Sequence, residues 1–218
     1  MVLVQTFAMI AAIAAFLAGA TTPGGAAERP VTIVALGDSL TAGFGLPASA
    51  AFPVRLERAL KAKGHAVAVV NAGVSGDTST GGLARLDWSV PEGTDAVIVE
   101  LGANDMLRGI DPEITRRALD DIVRRLSERR IPVLLAGMRG IPNLGVEFNR
   151  GFEAIYPGVA AKYGALLYPF FLDGIAGEAR FNQRDGIHPL AAGVDVIVER
   201  ILPKAEELLT RTRNTPAP

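Results

Sequence analysis

The stretch "ALGDSLTAGFGL", Ala35–Leu46, follows the apolar run Val31–Val34 and decides how the rest of the chain is to be read. Two chemistries fit it. Gly43, Gly45 and Ala48 satisfy a loose dinucleotide fingerprint, G-x-G-x-x-A, in which glycines let the backbone wrap a pyrophosphate. Ser39, standing where a short strand ends, is instead a nucleophile delivered to the rim of a sheet. The cofactor reading fails on spacing. Its first glycine should follow the strand directly, yet Gly37 to Ala42 intervene and Pro47 interrupts the pattern. Asn71 stands where a ribose-binding acid should close the second strand. The glycines are left as turn formers beside a reactive serine.

Outward from this stretch the chain alternates. Val31–Leu36, Ala66–Val70, Ala96–Leu101, Val133–Ala136 and Leu166–Tyr168 are short, continuously apolar runs, the signature of strands buried on both faces. Longer helical patterns separate them. Ala51–Lys63 sets Phe52, Leu56 and Leu60 against Arg55, Glu57 and Arg58. A second helix starts at Pro112 behind an Asp111 cap, with Leu119, Ile122, Val123 and Leu126 facing inward. Phe148–Tyr163 and Ala191–Leu209 supply two more. The pattern predicts an α/β protein, a five-stranded parallel sheet with helices on both faces. In such sheets ligands bind beyond the C-terminal strand ends.

Length and composition bound the rest. With 218 residues, 49% hydrophobic and 21% charged, residues 28–210 are expected to form one domain, with a flexible tail at 211–218. The run "FAMIAAIAAFLAGA", Phe7–Ala20, is too short for a comfortable membrane span. Small-residue sites ending at Ala20 and Ala27 mark residues 1–27 as a signal peptide, although no Lys or Arg precedes the run. The mature protein is therefore expected in the periplasm or outside the cell, without stable membrane insertion. Twenty-two basic against twenty-three acidic residues give a net charge of −1, and no basic patch points to nucleic acid. There is no cysteine, and the only histidines are His65 and His188, so no metal centre is expected. His65 is read as solvent-exposed and without a role, and a monomer is favoured.

Four strand-end segments carry the chemistry: Gly37–Leu40, Asn71–Asp77, Gly102–Asp105 and Asp185–Pro189. A serine hydroxyl becomes a competent nucleophile when an imidazole takes its proton, so Ser39 calls for His188. A carboxylate fixes the tautomer of that imidazole, and Asp185 lies three residues before it. A tetrahedral intermediate needs N–H donors where its charge develops. The backbone N–H groups of Ser39 and Gly76 and the side-chain amide of Asn104 are the candidates. Asp38, Asp77 and Asp105 are read as loop-bonding side chains. Met106, Leu107, Ile110 and Ile141, and with them Ile187, are read either as ordinary core or as the wall of an acyl pocket.

These four blocks, Ser in "GDSL", Gly in "NAGVSGD", Asn in "GAND" and Asp with His in "DGIHP", resemble those of the GDSL/SGNH hydrolases in order and spacing. "SGDTSTGGLARL", "VELGAND" and "FEAIYP" are similar to the bacterial thioesterase I, lysophospholipase L1 and arylesterase branch. The resemblance implies a three-layer flavodoxin-like fold without a lid domain, and hydrolysis of a small-molecule ester or thioester through an acyl-serine with neither metal nor cofactor. Leu144 departs from the tyrosine usual in that branch, in a loop expected to line the acyl groove. A carbohydrate or peptidoglycan O-acetylesterase is the rival enzyme, and a non-catalytic ligand-binding domain the rival of another class. The G-x-S-x-G elbow of α/β-hydrolases is absent.

Overall fold

The computed structural model describes residues 29–214. The expected signal peptide, its cleavage sites and residues 215–218 lie outside them. Five strands, β1 (Val31–Gly37), β2 (Val67–Gly73), β3 (Ala96–Glu100), β4 (Val133–Ala136) and β5 (Leu166–Tyr168), form one parallel sheet in the order β2-β1-β3-β4-β5. The helices are α1 (Ser39–Ala42), α2 (Phe52–Ala62), α3 (Ser79–Ala84), α4 (Leu86–Ser89), α5 (Ala103–Leu107), α6 (Pro112–Glu128), α7 (Val146–Glu153), α8 (Ile155–Tyr163) and α9 (Ala191–Asn214). α2 and α9 pack together on one face, and α3, α6 and α8 on the other. Strand order reverses between β1 and β3, which opens a crevice at their C-terminal ends, as in flavodoxin-like sheets.

The inner strands are buried throughout: every residue of β3 is inaccessible, and Ile33 to Leu36 are at most 1% exposed. Leu119, Ile122 and Leu126 press one stripe of α6 into that layer, each adding about 1.5–3 kcal/mol on full burial. Asp111 caps α6 by accepting from the Glu113 N–H.

Four local features differ from the sequence reading. β2 runs on to Gly73 because its backbone ladder with β1 continues through Ala35↔Asn71, Leu36↔Ala72 and Gly37↔Gly73. The helix expected over Phe148–Tyr163 is two, α7 and α8, joined at Ala154. Pro157 explains the break, since it lacks the N–H that would bond back to Glu153 and its ring crowds the preceding turn. The last helix continues beyond Leu209 to Asn214, four residues into the expected tail, with Thr212 donating to the Leu209 carbonyl at 2.8 Å and Arg211 to that of Gly164. His65 is half-buried rather than exposed, its Nε2 3.1 Å from Glu206 Oε1 on α9, away from the strand-end crevice.

Candidate active site

β1 ends at Gly37 and the chain turns at once into α1, with Ser39 as its first residue. Asp38 caps that turn by accepting from the Leu40 N–H at 2.9 Å. The turn closes only because Gly37 has no side chain: a Cβ there would lie 2.0 Å from Thr41 Oγ1. The Ser39 N–H, first in the helix, is one of the donors that a helix start leaves without an intrahelical partner.

Asp185 and His188 reach Ser39 on one irregular segment between β5 and α9. His188 Nε2 stands 2.9 Å from Ser39 Oγ, and Nδ1 stands 2.8 Å from Asp185 Oδ2. Asp185 Oδ1 accepts the backbone N–H groups of Ile187 and His188 at 2.9 and 3.0 Å. Hydrogen bonding from the His188 backbone, then from its ring, then from Ile187, holds the Asp185 carboxyl down to about 2. The imidazole is thus oriented by a carboxylate that is ionised throughout the working range. Sequence reasoning missed Phe44, whose ring lies against His188 with centroids 4.6 Å apart. Gln183 ties the two segments, its side chain donating to the Phe44 carbonyl at 2.8 Å and its N–H to that of His188 at 2.7 Å. Phe44 stands in the opening stretch itself, but nothing local marks an aromatic there as a neighbour of a histidine far along the chain.

Gly76 sits at φ +84°, a left-handed conformation that favours glycine, in the loop after β2. Among the described residues its N–H donates to no partner. Buried Arg85 braces this loop: it donates to Asp77 at 2.7 Å, to the Ala72 and Gly37 carbonyls at 2.8 Å each, and to Ser89 at 3.0 Å. The ends of β1 and β2 are therefore fixed relative to each other. Asn104, in α5 after β3, donates through Nδ2 to Asp38 Oδ2 at 3.0 Å and to the Asp77 carbonyl at 2.9 Å. Both amide hydrogens are engaged, so an oxyanion at Asn104 must share or replace one of these bonds. Asp105 is buried and ties three elements, accepting from the Ser79 N–H and hydroxyl and from the Thr115 hydroxyl.

A cavity of about 290 Å³ opens from Ser39, Asn104 and His188. Met106, Leu107, Ile141 and Ile187 line it. Ile110 does not: α5 ends at Leu107 with Arg108 as its C-cap, Gly109 takes φ +62°, and the Ile110 N–H folds back to the Asp105 carbonyl, directing the chain toward α6. Met138, Phe170 and Leu172 complete the apolar wall, with Arg139 stacked 4.8 Å over the Phe170 ring. They lie after β4 and β5 in segments whose apolar residues carry no periodic signal. Leu144 is half-buried against the core and is not part of this wall. No helix among the described residues is long and apolar enough to cross a membrane.

The sequence profile of the GDSL-like Lipase/Acylhydrolase family matches residues 35–196. "Esterase TesA" of Pseudomonas aeruginosa is 38% identical over 179 residues, 82% of this chain and 89% of its own. "Thioesterase 1/protease 1/lysophospholipase L1" of Escherichia coli is 41% identical over 159 residues, 72% of this chain and 75% of its own. Among solved structures, the SGNH-hydrolase family esterase AlinE4 superposes with a TM-score of 0.70 at 42% identity, covering 87% of this chain and 98% of that one.

Proposed function

Since this chain belongs to the GDSL-like lipase/acylhydrolase family, we propose that it hydrolyses acyl esters and thioesters with Ser39 as nucleophile, His188 as general base and Asp185 as the carboxylate that orients it. One observation carries the assignment of roles: the unbroken relay from Asp185 Oδ2 through both ring nitrogens of His188 to Ser39 Oγ, 2.8 and 2.9 Å per link. Ser39 Oγ attacks the carbonyl carbon as Nε2 takes its proton, and Asp185 stabilises the imidazolium. The N–H groups of Ser39 and Gly76, with the Asn104 amide, receive the oxyanion. His188 returns the proton to the departing alcohol or thiol, leaving an acyl-Ser39. The same nitrogen then deprotonates a water that releases the acid.

The apolar wall supports an acyl chain over a bare acetyl group, and about 290 Å³ is at the small end of ligand pockets, roughly 300–1,000 Å³. That favours short to medium chains. The run Phe7–Ala20 and the small-residue sites after it support secretion or periplasmic residence, which N-terminal sequencing of the mature protein tests. The mechanism is tested by Ser39→Ala, expected to lower kcat about 10⁴-fold or more with the fold intact, and by a phosphonate probe, expected to label Ser39 alone. Near-normal turnover in the alanine variant would overturn it. A panel of p-nitrophenyl esters and acyl-CoAs reads the chain length; a maximum at acetyl with no thioester cleavage would favour the O-acetylesterase.

A further inference from the structure

Behind Ser39 lie two carboxyl groups that the mechanism above does not use. Asp38 and Glu100 are both fully inaccessible to solvent. Glu100 is the last residue of β3 and pairs in register with Gly37, so it abuts the turn that carries Asp38. The two differ in what they receive. Asp38 accepts two N–H bonds, from the Leu40 backbone and the Asn104 amide, at 2.9 and 3.0 Å. Glu100 Oε2 accepts from the Thr41 hydroxyl at 2.8 Å and the Asp38 backbone N–H also acts on this carboxyl, but Oε1 is buried with no hydrogen-bond partner from the described residues that meets normal geometry. Among the described residues no Lys or Arg offsets them. Buried Arg85 directs its donors to Asp77, Ser89 and two carbonyls. The other ionisable groups that interact with the pair are Tyr156 from α8, which is not cationic, and His188 across the catalytic turn.

Two ionised carboxylates cannot share such a space. N–H donors favour the charged form, so the anion belongs on Asp38, and the proton belongs on Glu100, whose unpaired oxygen would otherwise bury a naked negative charge. We propose that Asp38 and Glu100 share a single proton, carried by Glu100, and that Glu100 is thereby a positioning residue for the Asn104 amide and the Ser39 turn. The proposal rests on the assignment of Ser39 as nucleophile. Burial, and then the neighbouring Asp38 charge, push Glu100 well above the usual carboxyl range, while burial raises Asp38 only to about 6. At neutral pH the pair therefore holds one proton. The neutral acid lets Asp38 remain charged without repulsion, and the charged Asp38 is what grips Asn104.

The test separates protonation from turnover. In protein carrying ¹³C at its glutamate side-chain carboxyls, one resonance should remain in the protonated position at pH 7 and vanish in Glu100→Gln. Glu100→Gln, which replaces the acid hydroxyl by an amide donor of the same shape, should keep kcat within about threefold of wild type. Glu100→Ala should lower kcat by roughly 10–100-fold, the scale of a small misplacement of catalytic groups, with KM nearly unchanged. A Glu100 carboxyl fully ionised at pH 7, or a Glu100→Gln as slow as Glu100→Ala, overturns the proposal, and the first of these does not require the alanine variant to fold. Failure of the phosphonate to label Ser39 would instead sink the underlying mechanism, leaving the resonance to be read on its own.

Discussion

Asp185→Asn isolates the orienting role of the carboxylate from its role in the turn. Asparagine keeps an oxygen where Oδ1 accepts the Ile187 and His188 N–H groups, so the segment should hold its shape. Its amide nitrogen then replaces Oδ2, 2.8 Å from His188 Nδ1, and donates to it. The ring is driven to the tautomer that carries its hydrogen on Nε2, where Ser39 needs a lone pair. Recovering the productive tautomer forfeits a charge-assisted bond, about 1.5–3 kcal/mol, and leaves a donor unmet, about 1–3 kcal/mol. The sum, roughly 2.5–6 kcal/mol, corresponds to about 10²–10⁴ in kcat at 1.36 kcal/mol per decade. Water reaches the Asp185 side chain, which is 39% exposed, so the loss belongs in the lower half of that range. The assay is kcat on a p-nitrophenyl ester alongside thermal melting and the ¹⁵N signature of the imidazole tautomer. A folded Asp185→Asn within tenfold of wild type would refute the reasoning.

Asn104→Ala should lower kcat about 10²–10³-fold with KM little changed if the amide serves the oxyanion, whereas a change in melting temperature alone would leave it a structural tie. Asp38 and Glu100 are both raised by burial, so the folded state holds more protons than the unfolded chain above about pH 4. Their stabilisation is present below that pH and is lost as pH rises through about 6; melting curves should fall over this window in wild type and flatten in Glu100→Gln, and parallel curves would contradict this. Leu107→Ala or Ile187→Ala should lower kcat/KM for longer acyl esters about tenfold and spare acetyl esters, while Ile110→Ala should leave the chain-length profile unchanged, which the ester panel checks.

The sheet and the candidate site residues were legible in the sequence because each is written locally. A buried strand is a continuous apolar run, and Ser39, Gly76 and Asn104 each follow one within a few residues. Asp185 and His188 are separated by one turn. What stayed hidden depends on distance in sequence. Ile110 and Met106 look equivalent beside Asn104, and only the turn at Gly109 sends one away from the cavity. Met138 and Phe170 join the wall because β4 and β5 end beside each other. Glu100 closes an apolar strand and looks like its polar boundary; its meeting with Asp38 comes from register between β1 and β3, which no single stretch encodes.

His188 and its carboxylate arrive together on one segment, three residues apart, rather than on separate elements of the scaffold. A rigid displacement of that segment therefore keeps their mutual geometry, and under the proposed mechanism it changes chiefly one coordinate, the gap from Nε2 to Ser39 Oγ. No strand ladder holds the coordinate; it rests on Gln183 to Phe44, Pro189 and His188, on Asn182 to the Ile175 and Glu178 carbonyls, on the Leu190 N–H to the Phe181 carbonyl, and on the bridge of Asn182 with Pro189. The sheet beneath is held by unbroken ladders and a buried core. Local opening of residues 182–190 thus costs far less than melting the fold. On warming, turnover should fade while ellipticity is still native, and cooling should restore it without refolding, so the upper temperature of function is set by this one loop and not by the stability of the protein.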